Sequence, residues 1–287
     1  MKVIVTGGTG FIGRYLVEEL KKSHEVITVG RSPQNKIMID IVDKEYLRKI
    51  PGADAIINLA AYVPDGGLSH RETADEAKKC VRANALSTYH LLQHAKKSRM
   101  KFIQSSSLAV FGKALALRMN EQTQRKPASA YGLSKHLADC FCELHEATIL
   151  CYPSVFGCGQ RKSVMQAFIE DAQSGKDIVV FGTGQREMDF VYVKDVVQAN
   201  MKALASPAKG FFVIGSGRVT TMQELAEKVK AVFGTKKTKI IIDAARKEED
   251  IHVSMDIAKA EQQLGYAPKY TLESGLQDYK KMMRGLQ

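Results

Sequence analysis

The sequence predicts an α/β fold, a doubly wound parallel sheet with a smaller C-terminal α/β region. Three observations carry that expectation. Short apolar, β-branched runs recur through the first half, separated by stretches with helical period. The runs are apolar throughout rather than alternating, as strands covered on both faces are. After Cys151 the regular alternation loosens into turn-rich segments and short helical patterns.

Taken in order, KVIVT (2–6) is the first strand, and residues 11–22 show a helical period through Phe11, Ile12, Leu16 and Leu20. EVITV (25–29), KIMI (36–39) and DAIINLA (54–60) are the next three strands. Residues 73–98 form a long helical stretch with room for one break. KFIQS (101–105) is a fifth strand, residues 130–146 a helix, and ATILC (147–151) a sixth strand. Right-handed crossovers are expected between them. Further on, a helix at 163–174 lies between the turn-rich YPSVFGCGQ and VFGTGQ, and DFVYV (189–193) and FFVIG (211–215) read as strands. Helical patterns follow at 221–233, 256–264 and 272–286. The expected division is a domain over 1–150 to which 189–214 returns, with 151–188 and 215–287 forming a second region and the site in the cleft between them.

Composition narrows the function classes. At 287 residues, with 45% hydrophobic and 25% charged residues, the chain reads as a soluble globular protein. It has no apolar run of membrane-spanning length, and no leader precedes the first strand. The five cysteines (Cys80, Cys140, Cys142, Cys151 and Cys158) are odd in number and form no CxxC pair, which suggests reduced thiols and a cytoplasmic location. His90 and His94 stand one helical turn apart but lack further ligands, so no metal site is expected. The net charge is +11. Its basic residues are scattered in pairs such as Lys21-Lys22 and Lys96-Lys97, with no nucleic-acid motif behind them. A positive surface equally suits a small anionic substrate such as a diphosphate.

The segment VIVTGGTGFIG (3–13) places Gly7, Gly10 and Gly13 between the first strand and the first helix. In that context the glycines form a dinucleotide-binding turn: one for the turn, one for close approach of the pyrophosphate, one for helix–sheet packing. The N-terminus of the helix then faces the phosphates. At the end of the second strand, where an acid would read the ribose, the chain has Gly30-Arg31-Ser32. The missing carboxylate and the guanidinium favour NADP(H) over NAD(H); stacking of Arg31 on the adenine is the alternative. Asp40 and Ile41, after the third strand, are placed to meet the adenine edge, although Asp40 equally suits a helix cap.

SAYGLSKHLADC puts Tyr131 and Lys135 four residues apart on one helix face. An ammonium near a phenol lowers its pKa and fits it to exchange a proton with a sugar hydroxyl. Strand five ends in Ser105, Ser106 and Ser107, at the end of the sheet that faces the ligand crevice.

With these residues in place, the chain resembles an extended short-chain dehydrogenase/reductase of the NAD-dependent epimerase/dehydratase family, with a Rossmann sheet. The matching segments TGGTGFIG, INLAA, SSSLAVFG, YGLSK, PSVFGCGQ, FGTGQREMDFVYVKDVV and LGYAPKYTLESGL run nearly end to end. The resemblance implies a nicotinamide dinucleotide and a nucleoside-diphosphate sugar, with a homodimer built on the two long helices. It implies Tyr131 as acid/base, Lys135 as its partner and Ser107 as the catalytic serine, with Ser106 a less favoured candidate. Leu59, Ala60 and Ala61 match the segment beside the dinucleotide, and Asn84 matches a supporting asparagine. Ser154, Arg186 and Arg246 match substrate-binding positions.

Departures from the pattern narrow the reaction. Leu108 and Ala109 follow Ser107 where a dehydratase places an acid. The cysteine of a 3,5-epimerase is missing as well. A 4-epimerase ranks first, with an NADPH-dependent 4-keto reductase as the alternative and a non-catalytic dinucleotide-binding regulator as a remote one. Cys151 stands where an arginine is common, and Met188 replaces the arginine of the RDF triplet, with Arg186 a possible substitute. Residues 62–75 are expected to form a lid over the sugar, with an ordinary solvent loop as the equal alternative.

Overall fold

A computed structural model of the chain describes residues 1–64, 72–112, 118–161, 163–247 and 252–285. Seven strands form one parallel sheet: β1 (Lys2–Thr6), β2 (Glu25–Gly30), β3 (Ile37–Met38), β4 (Ala55–Asn58), β5 (Lys101–Ser107), β6 (Thr148–Tyr152) and, far along the chain, β11 (Gly210–Val213). The spatial order is β11-β6-β5-β4-β1-β2-β3. The strand order therefore reverses between β1 and β4, and the crevice beyond their carboxyl ends is where such sheets take ligands. The runs Val3-Ile4-Val5 and Ile56-Ile57 are completely buried, which explains why these strands read as unbroken apolar segments.

Helices cover both faces. α1 (Phe11–Leu20) packs with α6 (Val193–Ala205) on one side; α3 (Ser87–Lys97) and α4 (Ala130–Leu144) pack on the other. The stretch expected as one helix over 73–98 is three pieces: α2 (Ala74–Cys80), a π-helical turn at Val81–Leu86, and α3. Thr73 starts it with a reciprocal capping box to Glu76. The π turn places the side chain of Asn84 inward, where it is 1% exposed.

The remaining strands are short: β7 (Ser154–Phe156), β8 (Ile178–Phe181), β9 (Glu187–Met188), β10 (Phe190–Tyr192), β12 (Thr220–Thr221) and β13 (Ile240–Asp243). They form the two-stranded sheets β7–β10, β9–β12 and β8–β13. Around them stand α5 (Val164–Gln173), α7 (Met222–Phe233), α8 (Ala258–Leu264) and α9 (Leu272–Arg284). α7 packs on α5 and α9, while α8 packs on β11 and α6. Among the described residues no helix is long and apolar enough to cross a membrane.

Candidate active site

A polar row crosses the sheet below the crevice. Thr6 Oγ1 donates to Asn58 Oδ1, and the Asn58 amide donates to Thr88 Oγ1 at 3.0 Å and Gln104 Oε1 at 2.8 Å. All four residues are buried, so the row pins the ends of β1, β4 and β5 in register.

The glycine turn sits on this row. Gly7 has φ +68°, and a Cβ there would stand 2.7 Å from the Ala60 nitrogen. A Cβ on Gly13 would stand 2.1 Å from the Gly7 oxygen. The turn is thus closed against itself and against Leu59-Ala60, with Gly10 N–H donating to Gly7 O at 2.9 Å. Gly10 caps α1 without a side chain, so the first N–H groups of α1 remain for an anion. Phe11 and Ile12 open the helix half-buried, and the ring of Phe11 meets that of Tyr15 edge-on at 6.0 Å. Leu59 N–H bonds Thr6 O at 3.2 Å, Ala60 N–H bonds Thr6 Oγ1 at 3.3 Å, and Ala61 is exposed.

At the end of β2, Arg31 points to solvent. Ser32 Oγ accepts the Gln34 N–H at 3.3 Å and its carbonyl accepts from the Asn35 amide at 3.0 Å, so Ser32 closes a local turn. Asn35, which sequence reasoning missed, packs against Gly30 and is 8% exposed, with its Oδ1 lacking a hydrogen-bond partner. Asp40 Oδ1 accepts the Val42 N–H at 3.1 Å in an Asx turn, and the Ile41 side chain lies in the core.

Tyr131 and Lys135 occupy the first turns of α4. Ser129 caps the helix by accepting the Gly132 N–H at 3.0 Å. Glu72 Oε1 accepts the Tyr131 N–H at 3.0 Å. Glu72 comes from the segment expected to be a lid; residues 65–71 of that segment lie outside the described residues. Gly132 allows α4 to touch the turn at 108–111, where a Cβ would stand 2.4 Å from the Ala109 oxygen. That approach brings the Tyr131 phenol near enough to the Ser107 side chain for Ser107 to pull its pKa down. Ser107 Oγ also accepts the Ala109 N–H at 3.3 Å.

Lys135 is 2% exposed and its ammonium donates to the Ser105 carbonyl. The sequence expectation that Lys135 lowers the Tyr131 pKa is not what dominates here. Burial pushes the phenol up to about 12, opposed by the nearby Ser107 side chain. Burial also lowers the Lys135 pKa. Ser106 faces away from Ser107, into the core, and donates to Asp139 Oδ2 at 2.6 Å. That bond removes it from the substrate side, because successive strand residues point to opposite faces.

Asn84 joins three segments. Its Oδ1 accepts the Tyr62 N–H at 2.7 Å, and its amide donates to Tyr62 O at 3.0 Å and Ser134 Oγ at 2.9 Å. Ser134 in turn donates to the Tyr131 carbonyl at 2.8 Å.

The C-terminal candidates are more dispersed. Ser154 begins β7 opposite Phe190. Arg186 precedes β9, with Nη2 3.7 Å from Met188 Sδ and a buried Nε that lacks a partner. Arg246 lies over the Phe181 ring at 4.7 Å, with Nε 3.4 Å from Asp243 Oδ2. Asp189, which sequence reasoning also missed, is fully buried and accepts from Ser216 N–H, Ser216 Oγ and Gly217 N–H at 2.8, 2.8 and 3.1 Å. It thereby shapes the loop after β11.

Residues 3–215 match the family described as NAD dependent epimerase/dehydratase. The chain belongs to that family. It is an enzyme of the extended short-chain dehydrogenase/reductase type. It is 31% identical to a protein of Methanocaldococcus jannaschii provisionally named UDP-glucose 4-epimerase, over 98% of both chains. The crystal structure of UDP-glucose 4-epimerase from Thermotoga maritima, solved with UDP-glucose, superposes with a TM-score of 0.86 at 30% identity, covering 100% of this chain and 99% of that one. UDP-glucuronic acid 4-epimerase from Bacillus cereus, complexed with UDP-glucuronic acid and NAD, gives 0.83 at 25% identity over the whole of both chains.

The Bacillus cereus complex overturns the expected preference for NADP(H), since that enzyme holds NAD on the same fold. The physical reason lies at the end of β2. One exposed arginine is not a phosphate cradle.

Proposed function

We propose that this enzyme is an NAD-dependent 4-epimerase of a UDP-linked hexose or hexuronic acid. The carrying observation is that the close approach of Gly132 to Ala109 brings Tyr131 on α4 toward Ser107 at the end of β5, with Leu108 and Ala109 following Ser107 instead of an acid. The residues present fit NAD. Gly7 and Gly13 let the turn close tightly on Leu59-Ala60 and on itself, as a dinucleotide turn requires, and the α1 N-terminus is uncapped by side chains. The lone Asn35 Oδ1 offers a neutral acceptor for a ribose hydroxyl where a 2′-phosphate would need a donor. Gly7, Gly10, Phe11, Ile12 and Gly13 would hold the pyrophosphate, with Leu59, Ala60 and Ala61 alongside. When bound, the dinucleotide supplies a reversible hydride acceptor.

The chain's own residues then handle the proton. Ser107 holds the sugar O4 by hydrogen bonding, and Tyr131 removes or returns the proton at that oxygen. Burial raises the phenol to about 12; removal of the O4 proton therefore needs the phenolate, which Ser107 favours, and the protonated phenol that results donates the proton back to the carbonyl oxygen in the return step. Lys135, one helical turn along α4 from Tyr131, is held by the Ser105 carbonyl at the end of β5. Residues 1–150, with 189–214 returning to them, are assigned to the dinucleotide, and 151–188 with 215–287 to the sugar nucleotide. There Ser154, Arg186 and Arg246 are the candidate contacts for sugar and diphosphate.

A homodimer is part of the proposal. Leu133, Leu137 and Leu144 are 55%, 40% and 79% exposed along α4, and Val81, Leu86 and Tyr89 stand exposed on the neighbouring helical stretch. An apolar stripe of this kind on two adjacent helices suits burial against a second copy. The chain's location is proposed as cytoplasmic, in keeping with five unpaired cysteines.

The test is a panel of UDP-glucose, UDP-galactose and their uronic acids with the NAD-loaded enzyme, read by separation of the isomers. Exchange between C4 isomers without net change in absorbance near 340 nm supports the epimerase. Stoichiometric consumption of a reduced dinucleotide with a 4-keto sugar nucleotide, and no exchange, would replace it with a reductase.

A further inference from the structure

Asp139 follows Lys135 by one helical turn on α4 and has no part in the chemistry above. It is fully buried. Its Oδ2 accepts the 2.6 Å bond from Ser106, and its Oδ1 has no hydrogen-bond partner. A carboxylate in a dry interior with one oxygen unsatisfied is costly, and a packed apolar residue would be cheaper there.

Two links connect Asp139 to the reacting groups. The first is mechanical. Ser106 immediately precedes Ser107, so its bond to Asp139 ties the end of β5 to α4, the helix that carries Tyr131. Lys135 ties the same strand end from the neighbouring residue, through the Ser105 carbonyl. The second link is electrostatic. The charged groups around Asp139 are Lys135, Arg125 and Glu143, with Tyr131 and the thiols of Cys142 and Cys151 nearby. Burial lowers the Lys135 pKa, and the negative charge of Asp139 opposes that loss most strongly. Burial pushes the Asp139 carboxyl up to about 7, with Ser106, Lys135 and Arg125 pulling it back.

We infer that Asp139 is a positioning residue for the Tyr131–Ser107 pair: through its buried bond to Ser106 it clamps the end of β5 to α4, the helix that carries Tyr131 and Lys135. The rate assays for this inference rest on the epimerase reading; a denaturation cycle does not.

Asp139→Ala and Ser106→Ala each remove the clamp. In the NAD-loaded enzyme the kcat of either should fall about tenfold or more, with KM within about twofold. Asp139→Asn keeps the shape and the Ser106 bond while removing the charge, and should recover activity relative to Asp139→Ala. Wild-type kcat in Ser106→Ala would overturn the inference, as would equal losses in the Asp139→Ala and Asp139→Asn variants. Independently of any substrate, Asp139→Ala and Ser106→Ala should shift the urea midpoint non-additively. Additive shifts overturn the clamp even if the substrate class proves to be different. A non-additive cycle in a protein that turns over none of the panel sugars upholds the clamp and refutes only the epimerase reading.

Discussion

Replacing Asn84 with alanine removes one side chain that holds three chain segments together. The Ser134 hydroxyl is fully buried and loses its donor, which costs about 1–3 kcal/mol. The two bonds to the Tyr62 backbone lie where water has partial access, so each costs about 0.5–1 kcal/mol. The total is about 3 kcal/mol. For 287 residues the unfolding entropy is about 0.6 kcal/mol per kelvin, so the melting temperature should fall by about 5 °C. Asn84→Asp keeps the acceptor for the Tyr62 N–H but sets a carboxylate oxygen against the Tyr62 carbonyl, and the Ser134 hydroxyl can donate to it only by giving up its bond to the Tyr131 carbonyl, so it should be at least as damaging. The assay is urea denaturation with a parallel thermal melt. A loss below about 1 kcal/mol in the alanine variant would show that the π turn is not held by this amide and would refute the reasoning.

Four other outcomes are expected. Tyr131→Phe should lower turnover by about 10²–10⁴-fold while the protein still binds NAD, read as bound cofactor after desalting. Gly13→Ala should lose NAD and about 1–3 kcal/mol of stability in urea, because its Cβ would stand 2.1 Å from the Gly7 oxygen. Asp139 has a folded pKa of about 7 against an ordinary aspartate value of 3.8, so the folded state holds the proton more tightly. Relative to Asp139→Asn, the wild type should be most stable in acid and lose stability as pH rises toward 7, at up to about 1.4 kcal/mol per unit; pH-dependent urea midpoints check the sign. Leu133→Glu with Leu137→Glu should halve the apparent mass in size-exclusion chromatography if α4 forms the dimer face.

The strands legible in the sequence are those whose burial leaves a continuous apolar trace. Val3-Ile4-Val5 and Ile56-Ile57 could hardly be anything else once helical segments flank them. The glycine turn and the Tyr131–Lys135 spacing were legible because local geometry dictates both. β7, β8 and β13, of three or four residues between turn-forming segments, were not, since their partners are distant and their own signal is too short. The direction of the Tyr131 shift was misread for a related reason. Helical spacing places Lys135 on the same face, but burial is set by everything packed around the phenol. Glu72 reaches α4 from 59 residues upstream and Asn35 folds back onto Gly30, contacts that no local pattern encodes. The cofactor preference failed at the same point: Arg31 has suitable chemistry but stands exposed at the end of β2, with no cluster of donors among the described residues around it to hold a phosphate.

The bare backbone contact between Gly132 and the Ala109 carbonyl has a consequence for tolerance to change. The proton carrier and the hydroxyl that steadies its target ride on different stretches of chain, yet no side chain stands between those stretches as a spacer. Their separation is therefore set by main-chain thickness, which mutation cannot retune in small steps. Substrate choice can drift through the loops around this contact while the distance that matters for proton exchange stays constant.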